Sequence, residues 1–334
     1  MSTSAFRPQA PVGRTSRTDD TGPPGHPLTR RPPLTATVPK EFVHRAQMAD
    51  VLLTGWRRLD DTRIAVSAQL PREHRFYAPV GGTHYDPLLL AEAIRQVGAL
   101  VGHAGFEVPL GQQFVMNDLT VSVLPGHLRV GDTPARLDID VTCREVQWRG
   151  GVFTGTRYDV EIRDGAGPVA AGGAQYTCVA PKVYRRLRGE RLLADAGTAL
   201  HLTAPVSPQS VGRMSPVDVV LSPTARAGQW LLRVDTRHPA LFDHPVDHVP
   251  GMVLIEAARQ AATTLLHAAE PQRPALLPSR IASEFLRYTE LDSPCLIEAC
   301  PVSGGPGEDV VVVTGSQDGA QVFRCVITVP AIRP

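Results

Sequence analysis

Apolar and polar positions follow a clear period only in parts of the chain. Residues 1–39 are rich in Pro, Ser, Thr, Gly and Arg and have no apolar period. Ordering such a segment costs backbone entropy and buries little apolar surface, so we predict a flexible tail. Apolar periodicity is strong over 40–180, weakens over the basic, proline-containing stretch 181–210, and returns over 211–334. The pattern therefore predicts two folded domains joined by a linker.

The two predicted domains carry the same motif 164 residues apart. The segment His84–Gln96 aligns with His248–Gln260, and in each copy a His is followed by Glu eight positions later, then Arg three positions on, then Gln. Arg45 and Arg213 recur upstream of the motif. Sheet-edge packing is the default expectation for these two arginines, and contact with a phosphate is the alternative. A repeat of this length predicts two copies of one fold.

Each copy is expected to hold one long helix amid about five antiparallel strands. Apolar side chains cover almost the whole helix circumference over 88–101 and again over 252–266, so the helix should be buried. The expected strands are 63–68, 135–146, 152–163 and 169–179 in the first copy, and 229–234, 295–302, 310–316 and 321–329 in the second, with Gln317-Asp318-Gly319 as a hairpin. The predicted fold class is α+β, with a sheet wrapped around a helix in each copy.

Charge and composition exclude several classes of protein. The chain has 34 Lys and Arg against 33 Asp and Glu, so its charge offers no case for a nucleic-acid or anionic-membrane partner. No apolar stretch is long enough to span a membrane, and the N-terminus lacks a secretory apolar core, which predicts a soluble, cytoplasmic protein. The basic run at 182–191 predicts a solvated linker or helix face, with docking of an acidic carrier protein as the alternative.

The five cysteines are scattered and have no zinc-ligand spacing, so reduced thiols packed in strands are expected; they are Cys143, Cys178, Cys295, Cys300 and Cys325. The chain also lacks a G-x-S-x-G elbow and both glycine-rich phosphate-loop motifs. We therefore expect no metal, no cofactor and no covalent intermediate.

A polar stripe runs along each apolar helix. Glu92, Arg95 and Gln96 lie at positions i, i+3 and i+4 and so share one helix face. A buried ion pair is costly, and an apolar replacement is often as stable. Two interpretations stay open: a Glu–Arg pair that fixes the register of packed helices, or a carboxylate whose protonation is tuned for chemistry. His103 and His267, near the helix ends, are interpreted as structural.

The longest motif resembles the signature of a known family. It runs Phe242-Asp243-His244-Pro245-Val246-Asp247-His248-Val249-Pro250-Gly251-Met252-Val253-Leu254-Ile255-Glu256-Ala257-Ala258-Arg259-Gln260 and is similar to AfsA-type proteins, the A-factor or γ-butyrolactone autoregulator synthases of actinomycetes. The first copy matches in 84–96 and in Val108–Phe114, and the resemblance covers roughly residues 40–330. A weaker similarity links 250–257 to hotdog 3-hydroxyacyl-carrier-protein dehydratases, but their loop His lies farther from the Pro-Gly.

The family resemblance implies a double hotdog fold packed as a pseudo-dimer, either monomeric or assembled further. It also implies transfer of a β-ketoacyl group from acyl carrier protein to the hydroxyl of dihydroxyacetone phosphate, the committing step toward a γ-butyrolactone, butenolide or furan signal. Two alternatives remain: a hotdog dehydratase or thioesterase acting on carrier-bound acyl chains, and a non-catalytic acyl-binding regulatory protein.

Acyl transfer to an alcohol needs a base, donors for the developing oxyanion and a cationic group for an anionic acceptor. We predict catalytic roles for Glu92, Glu256, Arg259 and His248. Substrate-binding roles are predicted for Arg95, Gln96, Gln260, His84, His244 and Gly251. The choice of base stays open, because each His has a turn or capping role as its alternative and each Arg an alternative role in neutralising its Glu.

Overall fold

A computed structural model describes residues 35–124, 126–189, 191 and 200–331. The described chain from residue 36 onward forms one compact unit. Most of the predicted tail and the middle of the predicted linker lie outside these residues. Val38, which we assigned to the tail, is buried, and its N–H donates to the carbonyl of Leu53.

The described strands form one antiparallel sheet of twelve. The first half contributes β1 (Leu53–Arg58), β2 (Arg63–Leu70), β3 (Gln113–Val123), β4 (Ala135–Arg149), β5 (Val152–Asp164) and β6 (Gly167–Val179). The second half contributes β7 (Leu221–Pro223), β8 (Gln229–Leu232), β9 (Arg280–Phe285), β10 (Cys295–Val302), β11 (Glu308–Gln317) and β12 (Ala320–Pro330).

The strand order is β1-β2-β4-β5-β6-β3-β9-β12-β11-β10-β8-β7. Read outward from its centre, the order is the same in both halves, so the sheet has a pseudo-twofold axis between β3 and β9. These two strands pair from Asp118–Glu284 to Ser122–Arg280 and join the halves. We did not predict β3 or β9, because β3 mixes polar residues with a register irregularity after Met116 and β9 is short.

Each half wraps its sheet around one long helix. The first is α1 (Pro87–Leu100) and its counterpart is α3 (Gly251–Ala269). In α1 every residue except Arg95 is buried, which agrees with the predicted buried helix. The helices differ after their shared motif, since α1 passes into a π-helical turn at Val101–Gly105 whereas α3 stays α-helical.

The predicted linker begins with a third helix, α2 (Pro181–Arg188), which carries much of the basic run. The cysteines lie in β4, β6, β10 and β12, as predicted. None of the helices that the structure describes combines the length and the apolar character needed to cross a bilayer.

Candidate active site

A cavity of about 460 Å³ opens between the two halves. Its walls come from the middle of α1, the start of β3, α2, the loop before α3 and the first turn of α3. Four of the predicted site residues line it: Arg95, His244, His248 and Gly251. The cavity therefore combines the helix stripe of the first half with the histidine loop of the second.

His248 lies in the cavity wall with its ring oriented by Asp247. The Nδ1 atom of His248 is 2.8 Å from Asp247 Oδ1. Because a carboxylate only accepts hydrogen bonds, Nδ1 carries the proton, and Nε2 of the neutral ring is then an acceptor. Nε2 has no hydrogen-bond partner among the described residues. This is the arrangement of a histidine base held by a carboxylate.

Two residues of α2 hold Asp247 in turn. The hydroxyl of Tyr184 donates to Asp247 Oδ1 at 2.7 Å, and Nε of Arg188 donates to Oδ2 at 2.7 Å. Burial by itself would raise the pKa of Asp247, but hydrogen bonds from His248, Arg188 and Tyr184 hold that pKa well below its usual range. Arg188 also forms a bidentate pair with Glu290, so α2 is fixed against the cavity.

The first turn of α3 presents free backbone donors to the cavity. Pro250 precedes the helix and supplies no side-chain cap. The N–H groups of Gly251 and Met252 have no acceptor among the described residues, and both residues line the cavity. A Cβ at Gly251 would lie 3.0 Å from the ring of Phe285, so this position favours glycine. Free N–H groups at the positive end of a helix suit a developing oxyanion.

The polar stripe of α1 forms a cluster around Glu92. Arg45 Nε donates to this carboxylate at 3.0 Å, Arg95 Nε at 2.9 Å and Gln96 Nε2 at 2.7 Å. Burial would raise the pKa of Glu92, but the two arginines hold it well below its usual range. Glu92 itself does not reach the cavity, whereas Arg45 and Arg95 line it.

The stripe of α3 forms the matching cluster, but this one is sealed. Arg213 Nε and Arg259 Nε each donate to Glu256 at 2.9 Å. Burial would raise the pKa of Glu256, but the arginines lower it to about 2. The ring of Phe76 lies 4.2 Å from the guanidinium carbon of Arg213 and covers it. None of these four residues contributes to the cavity wall.

The structure keeps six of the predicted site residues out of the cavity. They are Glu92, Gln96, His84, Glu256, Arg259 and Gln260. Both glutamates are ionised, and each carboxylate is paired with two arginines that lower its pKa, so neither has the properties of a base. The two glutamines instead hold backbone: Gln96 accepts from Leu52 N–H at 2.9 Å, and Gln260 accepts from Val220 N–H at 3.0 Å.

The remaining differences concern arginines and histidines. Arg45 and Arg213 pair with the helix glutamates, so our sheet-edge default for them is wrong. His84 contacts the hydroxyl of its neighbour Thr83 at 2.9 Å instead of facing the cavity. His103 is structural as predicted, since its Nδ1 lies 2.7 Å from the carbonyl oxygen of Val108 and therefore donates to it.

Sequence reasoning missed a third histidine in the wall, His44, which lines the cavity together with His244 and His248. Nε2 of His44 lies 2.8 Å from Nε2 of His103. His103 uses its Nδ1 proton on a carbonyl, so in a neutral pair His44 donates from Nε2 and keeps Nδ1 as an acceptor. Burial, together with the nearby charges of Arg95, His103 and His244, lowers the pKa of His44 to about 3. The ring is therefore neutral near pH 7.

Asp247, Tyr184 and Arg188 were also missed. The Asp247-His248 dipeptide was a usable signal, because a carboxylate beside a histidine can orient its ring. No local signal linked α2 to the site, since Tyr184 contacts a carboxylate 63 residues further along the chain.

The fold and the site define a double hotdog protein with a cavity of about 460 Å³ between its halves. A family model described as "A-factor biosynthesis hotdog domain", of the AfsA family, matches residues 27–180 and 194–332. The chain belongs to this family, which confirms the resemblance found in the sequence.

Named relatives cover nearly the whole chain. A 2-oxo-3-(phosphooxy)propyl 3-oxoalkanoate synthase of Streptomyces virginiae is 51% identical over 88% of this chain and 98% of its own length. A synthase of the same name from Streptomyces griseus is 44% identical over 87% of this chain and 94% of its own length. Both names agree with the activity that the sequence resemblance implied.

Solved structures support the fold alone. The crystal structure of an oleoyl thioesterase from Lactobacillus plantarum superposes with a TM-score of 0.50 at 11% identity, covering 83% of this chain and 99% of that one.

Proposed function

We propose that this protein is an acyltransferase that condenses a β-ketoacyl-acyl-carrier-protein thioester with the hydroxyl of dihydroxyacetone phosphate. The product is a 2-oxo-3-(phosphooxy)propyl 3-oxoalkanoate, the compound for which its relatives are named. The observation that carries the proposal is the grouping of His248, the open first turn of α3 and Arg95 around one cavity. These supply a base, oxyanion donors and a cation for the phosphate.

The proposed step transfers the acyl group directly. Nε2 of His248 takes the proton of the acceptor hydroxyl while that oxygen attacks the thioester carbonyl carbon. The N–H groups of Gly251 and Met252 stabilise the oxyanion that forms. The carbon–sulfur bond then breaks, and the leaving thiolate takes the proton from His248. One C–O bond replaces one C–S bond, with no net gain or loss of protons.

The phosphate of the acceptor needs fixed cations with free donors. Nε and Nη2 of Arg95 donate to the Glu92 carboxylate, whereas Nη1 of Arg95 has no hydrogen-bond partner among the described residues. Arg287 also lines the cavity and, within the described chain, forms no ion pair. We assign the phosphate to Arg95 and Arg287, with His244 beside them. Glu92 then acts by positioning Arg45 and Arg95.

The test replaces the proposed base and its counterpart in the other half. His248→Asn keeps a group able to bond Asp247 but removes Nε2, and we expect kcat for ester formation to fall by about 10²–10⁴-fold. His84→Asn, the matched change outside the cavity, should leave kcat within about twofold. The assay is mass spectrometry of the phosphorylated ester, with folding checked by circular dichroism.

Three outcomes would contradict the proposal. Free β-keto acid as the only product of the wild-type protein would point to a thioesterase. A dehydrated acyl chain formed from a 3-hydroxyacyl donor would point to a dehydratase. Full activity of a folded His248→Asn variant would remove His248 as the base.

A further inference from the structure

One face of α2 is exposed, basic and partly apolar. On a helical wheel Arg185, Lys182, Arg186, Val183 and Leu187 follow one another around a continuous arc. All five are exposed, with Val183 at 43% and Leu187 at 63%. In the described chain, the three basic side chains have neither a hydrogen-bond acceptor nor an ion-pair partner. α2 contains no acidic residue that would neutralise them.

The opposite face of α2 is fixed to the active site. Tyr184 lines the cavity and donates to Asp247, the carboxylate that orients His248. Arg188 is 5% exposed and pairs with both Asp247 and Glu290. Its guanidinium carbon also lies 4.3 Å from the centre of the Tyr288 ring, another cavity residue. The exposed arc therefore sits on a rigid support at the edge of the cavity.

The charge of this arc departs from that of the whole chain. The protein carries a formal charge of only +1 over 334 residues, yet three cations that have no partner among the described residues fall within five positions of one helix. Adjacent exposed apolar side chains are a second departure from an ordinary solvated face. A basic arc beside exposed apolar side chains is complementary to a partner helix on which acidic residues surround an apolar residue.

We propose that the arc Lys182, Val183, Arg185, Arg186 and Leu187 is the docking surface for the acidic carrier protein that brings the acyl thioester to the cavity. This inference rests on the proposed function, which requires a protein-bound donor. Docking on α2 places the carrier at the edge of the cavity, so that its flexible arm reaches the first turn of α3. The attraction is electrostatic, so it speeds association and weakens as salt rises.

The experiment compares two donors of the same acyl group. One is the β-ketoacyl thioester on the purified carrier protein, and the other is the same acyl group on N-acetylcysteamine. For the variant Lys182→Glu/Arg185→Glu/Arg186→Glu we expect kcat/KM for the carrier-bound donor to fall by about 10–100-fold, because steering contributes on this scale. The value for the small donor should stay within about twofold.

A matched charge reversal separates docking from total charge. Arg57, Arg136 and Arg149 are exposed on β1 and β4, and none of them lines the cavity. Their triple change to Glu alters net charge by the same amount and should leave both donors unaffected. Leu187→Asp should lower only the carrier-bound rate, since it disrupts the apolar part of the arc.

Binding is measured separately by fluorescence anisotropy of labelled carrier protein at low and high salt. We expect wild-type affinity to drop with salt and the α2 triple variant to bind weakly at both concentrations. Equal loss with both donors, or unchanged carrier affinity in the triple variant, would overturn the docking surface. If the wild-type protein binds carrier through α2 but forms no ester with either donor, the proposed function fails and the docking surface stands.

Discussion

The two halves contain nearly the same polar cluster and use it differently. Arg95 shows 19% of its side chain at the cavity, whereas its counterpart Arg259 shows 6%. The second arginine of each cluster also differs, because the residue that reaches it from the opposite half is not the same. Arg45 Nη1 approaches the carbonyl of Ala240, and Arg213 Nη1 donates to the carbonyl of Phe76, the residue at the equivalent position. With alanine at this position Arg45 lies in the cavity wall, although its side chain is only 9% exposed, whereas the phenylalanine ring covers Arg213, which lies outside the wall.

The helix N-termini differ in the opposite direction. At α1, the carboxylate of Asp86 accepts from Leu88 N–H at 2.9 Å and occupies the place where an anion would bind. At α3 the equivalent residue is Pro250, which caps nothing. The second half therefore has an open helix end and an ion cluster sealed from the cavity. The first half has a capped helix end and an ion cluster whose arginines line the cavity. The comparison teaches that a duplicated fold can divide structure and chemistry between its copies.

The largest expected effect is on the sealed cluster. Glu256→Gln leaves two buried arginines without a counterion, which should lower the free energy of unfolding by about 3–5 kcal/mol. The matched Glu92→Gln variant should lose less, because Arg95 is partly hydrated through the cavity. Urea denaturation of both variants measures the difference. Equal losses would show that the clusters do not differ in solvation.

Phe76→Ala removes the side chain that seals Arg213. We expect a loss of about 3 kcal/mol in the free energy of unfolding, at the lower end for a buried Phe because water can enter and hydrate the guanidinium. Turnover per folded molecule should be unchanged, since Phe76 lies outside the cavity wall. A folded variant with impaired turnover would refute a purely structural role for the sealed half.

Ala240→Phe makes the converse change and places a ring over Arg45. We expect kcat/KM for the phosphorylated acceptor to fall about 100-fold, which corresponds to about 2.7 kcal/mol. The melting temperature, followed by scanning calorimetry, should change little if the ring occupies the cavity instead of the packed core. Normal turnover in a folded variant would mean that the acceptor binds elsewhere.

The smallest effect concerns the left-handed positions that precede Arg45 and Arg213. Gly212 has φ 69°, and a Cβ there would meet only ordinary van der Waals contacts, so Gly212→Ala should cost about 1 kcal/mol from backbone strain alone. Gly165→Ala, at an open position without positive φ, is the control and should be neutral. The first half places His44 at the matching position with φ 52°, and strain accepted there is typical of a functional site. Chemical denaturation measures the free energy of unfolding of both variants. An unchanged free energy of unfolding in Gly212→Ala would contradict the predicted backbone strain.

Local spacing and apolar pattern were enough to predict the duplicated α+β fold, the buried helices and the histidine loop. These follow from short-range rules: a 3.6-residue period places Glu92, Arg95 and Gln96 on one face, and Pro250-Gly251 opens a helix. The same rules predicted ten site residues, of which Arg95, His248, His244 and Gly251 line the cavity and the other six do not.

Tertiary structure alone decided which copy of the motif faces a cavity. The two stripes are equivalent in sequence, and their fates depend on Phe76 and Ala240, which reach them from the opposite half. The junction of the central strands β3 and β9 could not be predicted from local sequence either, because these strands pair with each other across about 160 residues of chain. The burial of an ionic group is set by whatever packs against it, and that partner is distant in sequence.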